Sequence, residues 1–142
     1  MVKLLPTFVL VFLLFLTGCN AGISDKNLSY VSPSDVRVLM SSGAGELFGT
    51  ELRTILIDCR QRWEFNKAHI PDATPIPFGH LQYKLYELDH AGIIIVTGQT
   101  YNDPVAIAMS KALMELGFKD VKTLRGGFVG WEDAGGSVKT EE

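Results

Sequence analysis

The sequence predicts an α/β domain, a mainly parallel sheet flanked by helices, and three observations carry that prediction. Two runs, Ile55-Leu56-Ile57 and Ile93-Ile94-Ile95-Val96, are apolar at every position, as in strands buried on both faces. Segments of helical period stand between and after them, the clearest opening at Pro104. Strand-like and helix-like segments alternate at short intervals, which favours parallel strands joined by helical crossovers.

Taken in order, Tyr30-Val31 reads as a brief strand. Ser32-Pro33-Ser34-Asp35 then starts a helix, with Ser32 as N-cap, Pro33 at the first helical position and Asp35 closing a capping box. Val36, Leu39 and Met40 supply its apolar stripe, and Ser41-Ser42-Gly43-Ala44-Gly45 ends it. The strand at 55–57 leads straight into Asp58-Cys59-Arg60, and a short helical turn is expected over 61–67. Thr74-Pro75-Ile76-Pro77 is extended, and 79–88 is expected to be a helix bearing Leu81, Leu85 and Leu88.

After the strand at 93–96, Asp103 caps the best-defined helix, Pro104 fits its first turn and Gly117 fits a left-handed stop. Val105, Ala108, Met109, Ala112, Leu113 and Leu116 form its apolar face. Val121-Lys122-Thr123-Leu124 is a further strand. Gly126-Gly127 turns into an amphipathic segment carrying Phe128 and Trp131, ended by Gly135-Gly136. In open parallel sheets ligands bind at the carboxyl ends of the strands, so the loops 58–62 and 97–103 are the candidate site.

The N-terminus reads as an export signal. Lys3 gives a positive start, Val9 to Leu16 is an unbroken apolar run, and Leu16-Thr17-Gly18-Cys19 looks like a lipobox. The run is short for a bilayer span. On this reading residues 1–18 are a lipoprotein signal peptide and Cys19 is the lipidation site. An ordinary signal peptide with an incidental cysteine, or an uncleaved anchor, are the competing readings. Residues 19–28 then form a lipidated tether, 29–138 the domain and 139–142 a C-terminal tail. Asn20, rather than aspartate, after the lipidated cysteine favours the outer membrane, facing the periplasm, in a Gram-negative host.

Without residues 1–18 the chain keeps twelve of its thirteen basic residues and all sixteen acidic ones, a formal charge of −4. A mildly acidic surface without basic clusters argues against nucleic acid as a partner. Cys19 and Cys59 are the two cysteines. With Cys19 alkylated, no disulfide framework is available and one thiol remains. His80 and His90 lack metal-ligand spacing and read as surface residues, so neither a metal nor a cofactor is expected.

Ile55-Leu56-Ile57-Asp58-Cys59-Arg60, then Trp63-Glu64-Phe65, Ala68-His69-Ile70-Pro71-Asp72-Ala73 and Ile76-Pro77, resemble the first half of a rhodanese-like domain. Leu116-Gly117-Phe118, Leu124-Arg125-Gly126-Gly127-Phe128 and Trp131 resemble the second half. Ala68 and Asp72 replace two glycines usual in that family. The likeness spans about 29–138 and implies a single rhodanese-like domain.

Active members of that family carry a persulfide-forming cysteine at the start of the loop after the central strand, held by backbone N–H groups. Here the loop is Thr97-Gly98-Gln99-Thr100-Tyr101-Asn102-Asp103, without cysteine. Counting from the strand places Thr97 at the nucleophile position, and counting from Leu116-Gly117-Phe118 places Thr100 there. A threonine hydroxyl is scarcely ionised at neutral pH, and oxygen cannot carry a persulfide. The loop also lacks the family's anion-holding arginine, and Asp103 adds negative charge where an anion would sit.

Cys59 is the other candidate for chemistry, with Arg60 and Arg62 as groups able to lower its pKa; the alternative is a buried small side chain. Asp58, Arg60 and Glu64 are expected to form an ion-pair set that fixes the loop, and His69 to bond backbone. Trp63, Phe128 and Trp131 are expected in core and lid packing rather than as a cofactor platform. Arg125 either faces the pocket or pairs with an acid, which makes it, with Arg60, a candidate binding residue. The leading expectation is a non-catalytic binding or scaffold module held at a membrane, taking a protein or small ligand at the degenerate loop. The alternative is a sulfur-carrier or thiol-redox enzyme using Cys59, and a weaker one is residual hydrolysis by the threonine loop.

Overall fold

Five short strands pair edge to edge, and the register of the two apolar runs decides the architecture of the rest. In the computed structural model, which describes residues 22–141, β1 is Ser29–Val31, β4 Arg53–Asp58, β5 Thr74–Pro75, β6 Ala91–Thr97 and β7 Val121–Leu124. Their order in the sheet is β1-β7-β6-β4-β5, and every pairing is parallel. β2, Glu46–Leu47, and β3, Thr50–Glu51, form a separate antiparallel hairpin.

β4 and β6 lie side by side with Ile55 opposite Ile94, Leu56 opposite Ile95 and Ile57 opposite Val96. Side chains alternate along a strand, so Ile55, Ile57, Ile94 and Val96 face one side, and Leu56 and Ile95 the other. The first side is covered by α3, Pro104–Glu115, through Ala106, Met109 and Leu113. On the other side Val36 of α1, Pro33–Ser42, packs with Phe128 and Trp131 of α4, Gly127–Asp133. The last helix, α2, spans Arg62–Lys67.

The helix ends follow the sequence closely. Ser32 Oγ accepts from the Asp35 N–H at 3.2 Å and the Asp35 carboxylate accepts from the Ser32 N–H at 3.0 Å, closing the capping box. Asp103 caps α3, and Gly117 beyond its end has φ +97°.

Two segments differ from expectation. Residues 79–88 are not an α-helix but two 3-10 turns, Phe78–Tyr83 and Leu85–Leu88, with Lys84 between them. Gly79, two tyrosines and a short length make an α-helical nucleus costly there, and anchoring Leu81 and Leu88 in the core suffices to hold the segment. The β2–β3 hairpin leaves no mark in the sequence pattern, because two-residue strands carry no periodicity. Among the described residues no helix is long and apolar enough to cross a membrane. Cys19 and the expected signal peptide lie outside the described residues.

Candidate functional site

The two candidate loops meet at the carboxyl ends of adjacent strands. The chain leaves β4 toward β5 on one side and crosses back to β6 on the other, so a crevice opens between residues 59–61 and 98–103. The Cys59 N–H donates to the Thr97 carbonyl at 3.0 Å, which ties the loops at their base.

Asp58 is fully buried and Arg60 nearly so. The guanidinium bonds the carboxylate through Nη2 at 2.7 Å and Nε at 3.0 Å. Its remaining donors reach Gln99 Oε1 at 3.0 Å and the Ala68 carbonyl at 2.8 Å, and the Phe128 ring lies beneath it, 4.1 Å to the centroid. One side chain thus joins β4, α2, the 98–103 loop and α4. Glu64 does not belong to this set. Its carboxylate instead accepts from the Gln61 N–H at 2.9 Å and caps α2. His69 bonds backbone as expected, Nδ1 to the Phe65 carbonyl at 2.9 Å, stacked on the Phe65 ring.

Within the second loop, the Asp103 carboxylate collects three backbone donors. It accepts from Gln99 N–H at 2.7 Å, Val105 N–H at 2.8 Å and Ala106 N–H at 3.3 Å. Amides of a loop and a helix N-terminus are donors suited to anions, and here a carboxylate of the chain itself accepts from them. Gly98 is the loop position aimed at that carboxylate: a Cβ there would stand 2.6 Å from Asp103 Cγ. Neither threonine takes that place. Thr97 is buried with its hydroxyl donating to the Gly98 carbonyl at 3.2 Å, and Thr100 is exposed.

α4 presses on the loop from the other side. Phe128 N–H donates to the Gly98 carbonyl at 2.8 Å and Val129 N–H to the Gln99 carbonyl at 3.0 Å. Gly127 has φ +59°, and a Cβ on it would meet the Gln99 carbonyl carbon at 2.8 Å, which is why glycine is needed there.

Cys59 is 2 % exposed, and its thiol donates to the Thr97 carbonyl at 3.2 Å. Burial, reinforced by the negative charges of Asp103 and Asp58, pushes the thiol well above its ordinary pKa. Arg60 acts in the opposite direction but more weakly, its charge being committed to Asp58. Arg62 stands instead over the Phe65 ring. The lowering that Arg60 and Arg62 could exert does not prevail, because desolvation outweighs an already paired cation, and Cys59 is the buried small side chain of the other reading.

Arg125 is exposed, lies 5.6 Å over the Tyr30 ring and borders a hollow with Thr100, Tyr101 and Thr123. It faces a pocket; among the described residues no acid pairs with it. Trp63 is 68 % exposed on α2 and packs in no core, contrary to expectation, whereas Phe128 and Trp131 are buried. His80 and His90 are exposed. Among the described residues no group of side chains is arranged to hold a metal ion.

The rhodanese-like domain model matches residues 44–134. A Bacillus halodurans protein of known structure shares 23 % identity, with 81 % of this chain and 79 % of that chain covered at a TM-score of 0.66. A thiosulfate sulfurtransferase from Pseudomonas aeruginosa shares 21 % identity over 81 % of this chain but 20 % of its own, at 0.68. A Rhodopseudomonas palustris protein, described as a possible tyrosine phosphatase, shares 21 % over 80 % and 86 %, at 0.63. No protein of curated function matches the sequence.

Proposed function

The chain belongs to the rhodanese-like domain family, and from that premise we propose that it is a membrane-anchored, extracytoplasmic binding module rather than a sulfurtransferase. The observation that carries this reading is the Asp103 carboxylate held by the Gln99, Val105 and Ala106 N–H groups. An anionic sulfur donor or a persulfide needs those amides, and here an internal anion has them. With no cysteine in the loop, the family's sulfur relay has no acceptor atom.

What remains exposed is suited to recognition. Arg125, Tyr30, Thr100 and Tyr101 border one hollow, and Trp63 with Lys67 and Glu132 borders another. A protein segment or small ligand is the proposed occupant. The anchor is the lipid on Cys19, with the domain in the periplasm if the host is Gram-negative.

The alternative is a sulfur-carrier or thiol-redox enzyme using Cys59. One observation favours it: Cys59 borders the hollow formed by Gln61, Gln99 and Asp103. Incubation of the protein with thiosulfate and cyanide separates the readings. The binding module yields no thiocyanate above background. Turnover that disappears in Cys59→Ala would replace it with the enzyme reading.

A further inference from the structure

We propose that the face formed by the 3-10 segment Phe78–Leu88 and the outer side of α3 lies against the bilayer that holds the protein. This rests on the reading that Cys19 carries lipid, and adds to it which side of the domain meets the membrane.

The first support is the composition of that face. Phe78, Leu81, Leu85, Ala112 and Leu116 border an apolar groove between the segment and α3. Phe78, Leu85 and Leu116 leave 42 %, 36 % and 53 % of their surface exposed. Tyr83 and Tyr86 on the same segment are 70 % and 62 % exposed, with the Lys84 ammonium 5.5 Å over the Tyr86 ring. Half-sunk apolar side chains in a groove, with exposed tyrosines on the same segment and a lysine paired to Glu87 between them, are a composition suited to a membrane–water interface, where one end of each residue is apolar and the other wet.

The second support is where the chain enters the domain. Before β1 the chain makes a 3-10 turn at Asp25–Asn27, and Asp25 forms an ion pair with Lys111 on α3. Lys111 directly precedes Ala112, which borders the groove. Six residues of sequence run from Cys19 to Asp25, a span of at most about 22 Å even when fully extended. A lipid at Cys19 therefore brings the bilayer close to α3, the layer that carries the groove. The opposite layer, with α1 and α4, then faces away from the membrane, and so does Trp63, which shares a hollow with Phe128 and Glu132 of α4.

The test uses the full-length protein produced in a bacterial host and reconstituted in phosphatidylethanolamine–phosphatidylglycerol vesicles, with mass spectrometry of the N-terminus to establish the lipid. Cys59 is buried, so a nitroxide attaches selectively at Tyr83→Cys or, as the control, at Trp63→Cys. On vesicles the label at 83 loses accessibility to an aqueous nickel chelate several-fold, while the label at 63 keeps its own. A second variant, Leu85→Glu with Leu116→Glu, returns the label at 83 to aqueous accessibility without releasing the protein from the vesicles. If the lipid is present and the label at 83 is as accessible as that at 63, the docking face is wrong and the anchor stands. If mass spectrometry finds no lipid, both fall.

Discussion

The Asp103 carboxylate stands where a side chain on Gly98 would have to be, with Cγ 2.6 Å from the position of a Gly98 Cβ. The two residues exclude each other's alternatives: the carboxylate holds the loop amides, and glycine makes the room for it.

That relationship predicts a coupled pair. Gly98→Ala forces a contact too short to tolerate and is expected to cost about 1–3 kcal/mol of stability. Asp103→Ala loses the cap of α3, about 1–2 kcal/mol. Together they should cost less than their sum, by about 0.5–3 kcal/mol, because removing the carboxylate relieves the crowding. Denaturant titration of all four proteins measures the coupling. Asp103→Ala should also gain more thermal stability from millimolar sulfate than the native protein does, the excess over the general salt effect reporting an anion bound at the vacated amides.

The two candidate binding arginines should behave oppositely. Arg60→Ala leaves the buried Asp58 carboxylate without its partner, and breaking such a pair from one side costs about 3–5 kcal/mol. Arg125→Ala removes an exposed side chain and should leave stability within about 0.5 kcal/mol. Equal thermal shifts in the two variants would contradict this division between frame and rim.

Cys59 should be inert and should make stability fall in alkali. Its thiol pKa is raised by burial, so above about pH 8.5 the unfolded chain loses the proton while the folded one keeps it. Stability then declines as pH rises, by up to about 1.4 kcal/mol per pH unit from this group. Cys59→Ala should flatten that decline. Ellman's reagent should react at once with the unfolded protein and negligibly with the native one.

The capping box of α1 carries the opposite dependence. Hydrogen bonds from the Ser32 hydroxyl, at 2.7 Å, and the Ser32 N–H hold the Asp35 carboxyl below its usual range. Its contribution is fully present above the unfolded value and is lost as pH falls through the lowered folded one. Native protein and Asp35→Asn should therefore differ in melting temperature near neutrality and converge in strong acid.

Several parts of the fold were legible because one physical constraint dominated them. Ile55 to Ile57 and Ile94 to Val96 are buried on both faces, so no polar residue interrupts them, and their runs announce central strands. Ser32, Asp103 and Gly117 announce helix ends because backbone groups at a terminus need local partners. The turns at 78–88 and the hairpin at 46–51 were not legible, since elements this short are decided by what they pack on. Trp63 misled for the same reason: its size suggests a core, and only its position on α2 leaves it outside.

The sequence by itself determined the α/β class, the strand order's raw material, the caps, and the composition of a loop without cysteine. These follow from periodicity and from groups close in the chain. Only the tertiary structure decided what the charged groups do. The Asp103 carboxylate takes the Gln99, Val105 and Ala106 N–H groups, Arg60 is consumed by Asp58, Gln99 and the Ala68 carbonyl, and Cys59 is raised rather than lowered in pKa. Those outcomes depend on distance and desolvation between segments far apart in sequence, and neither quantity exists until the chain has folded.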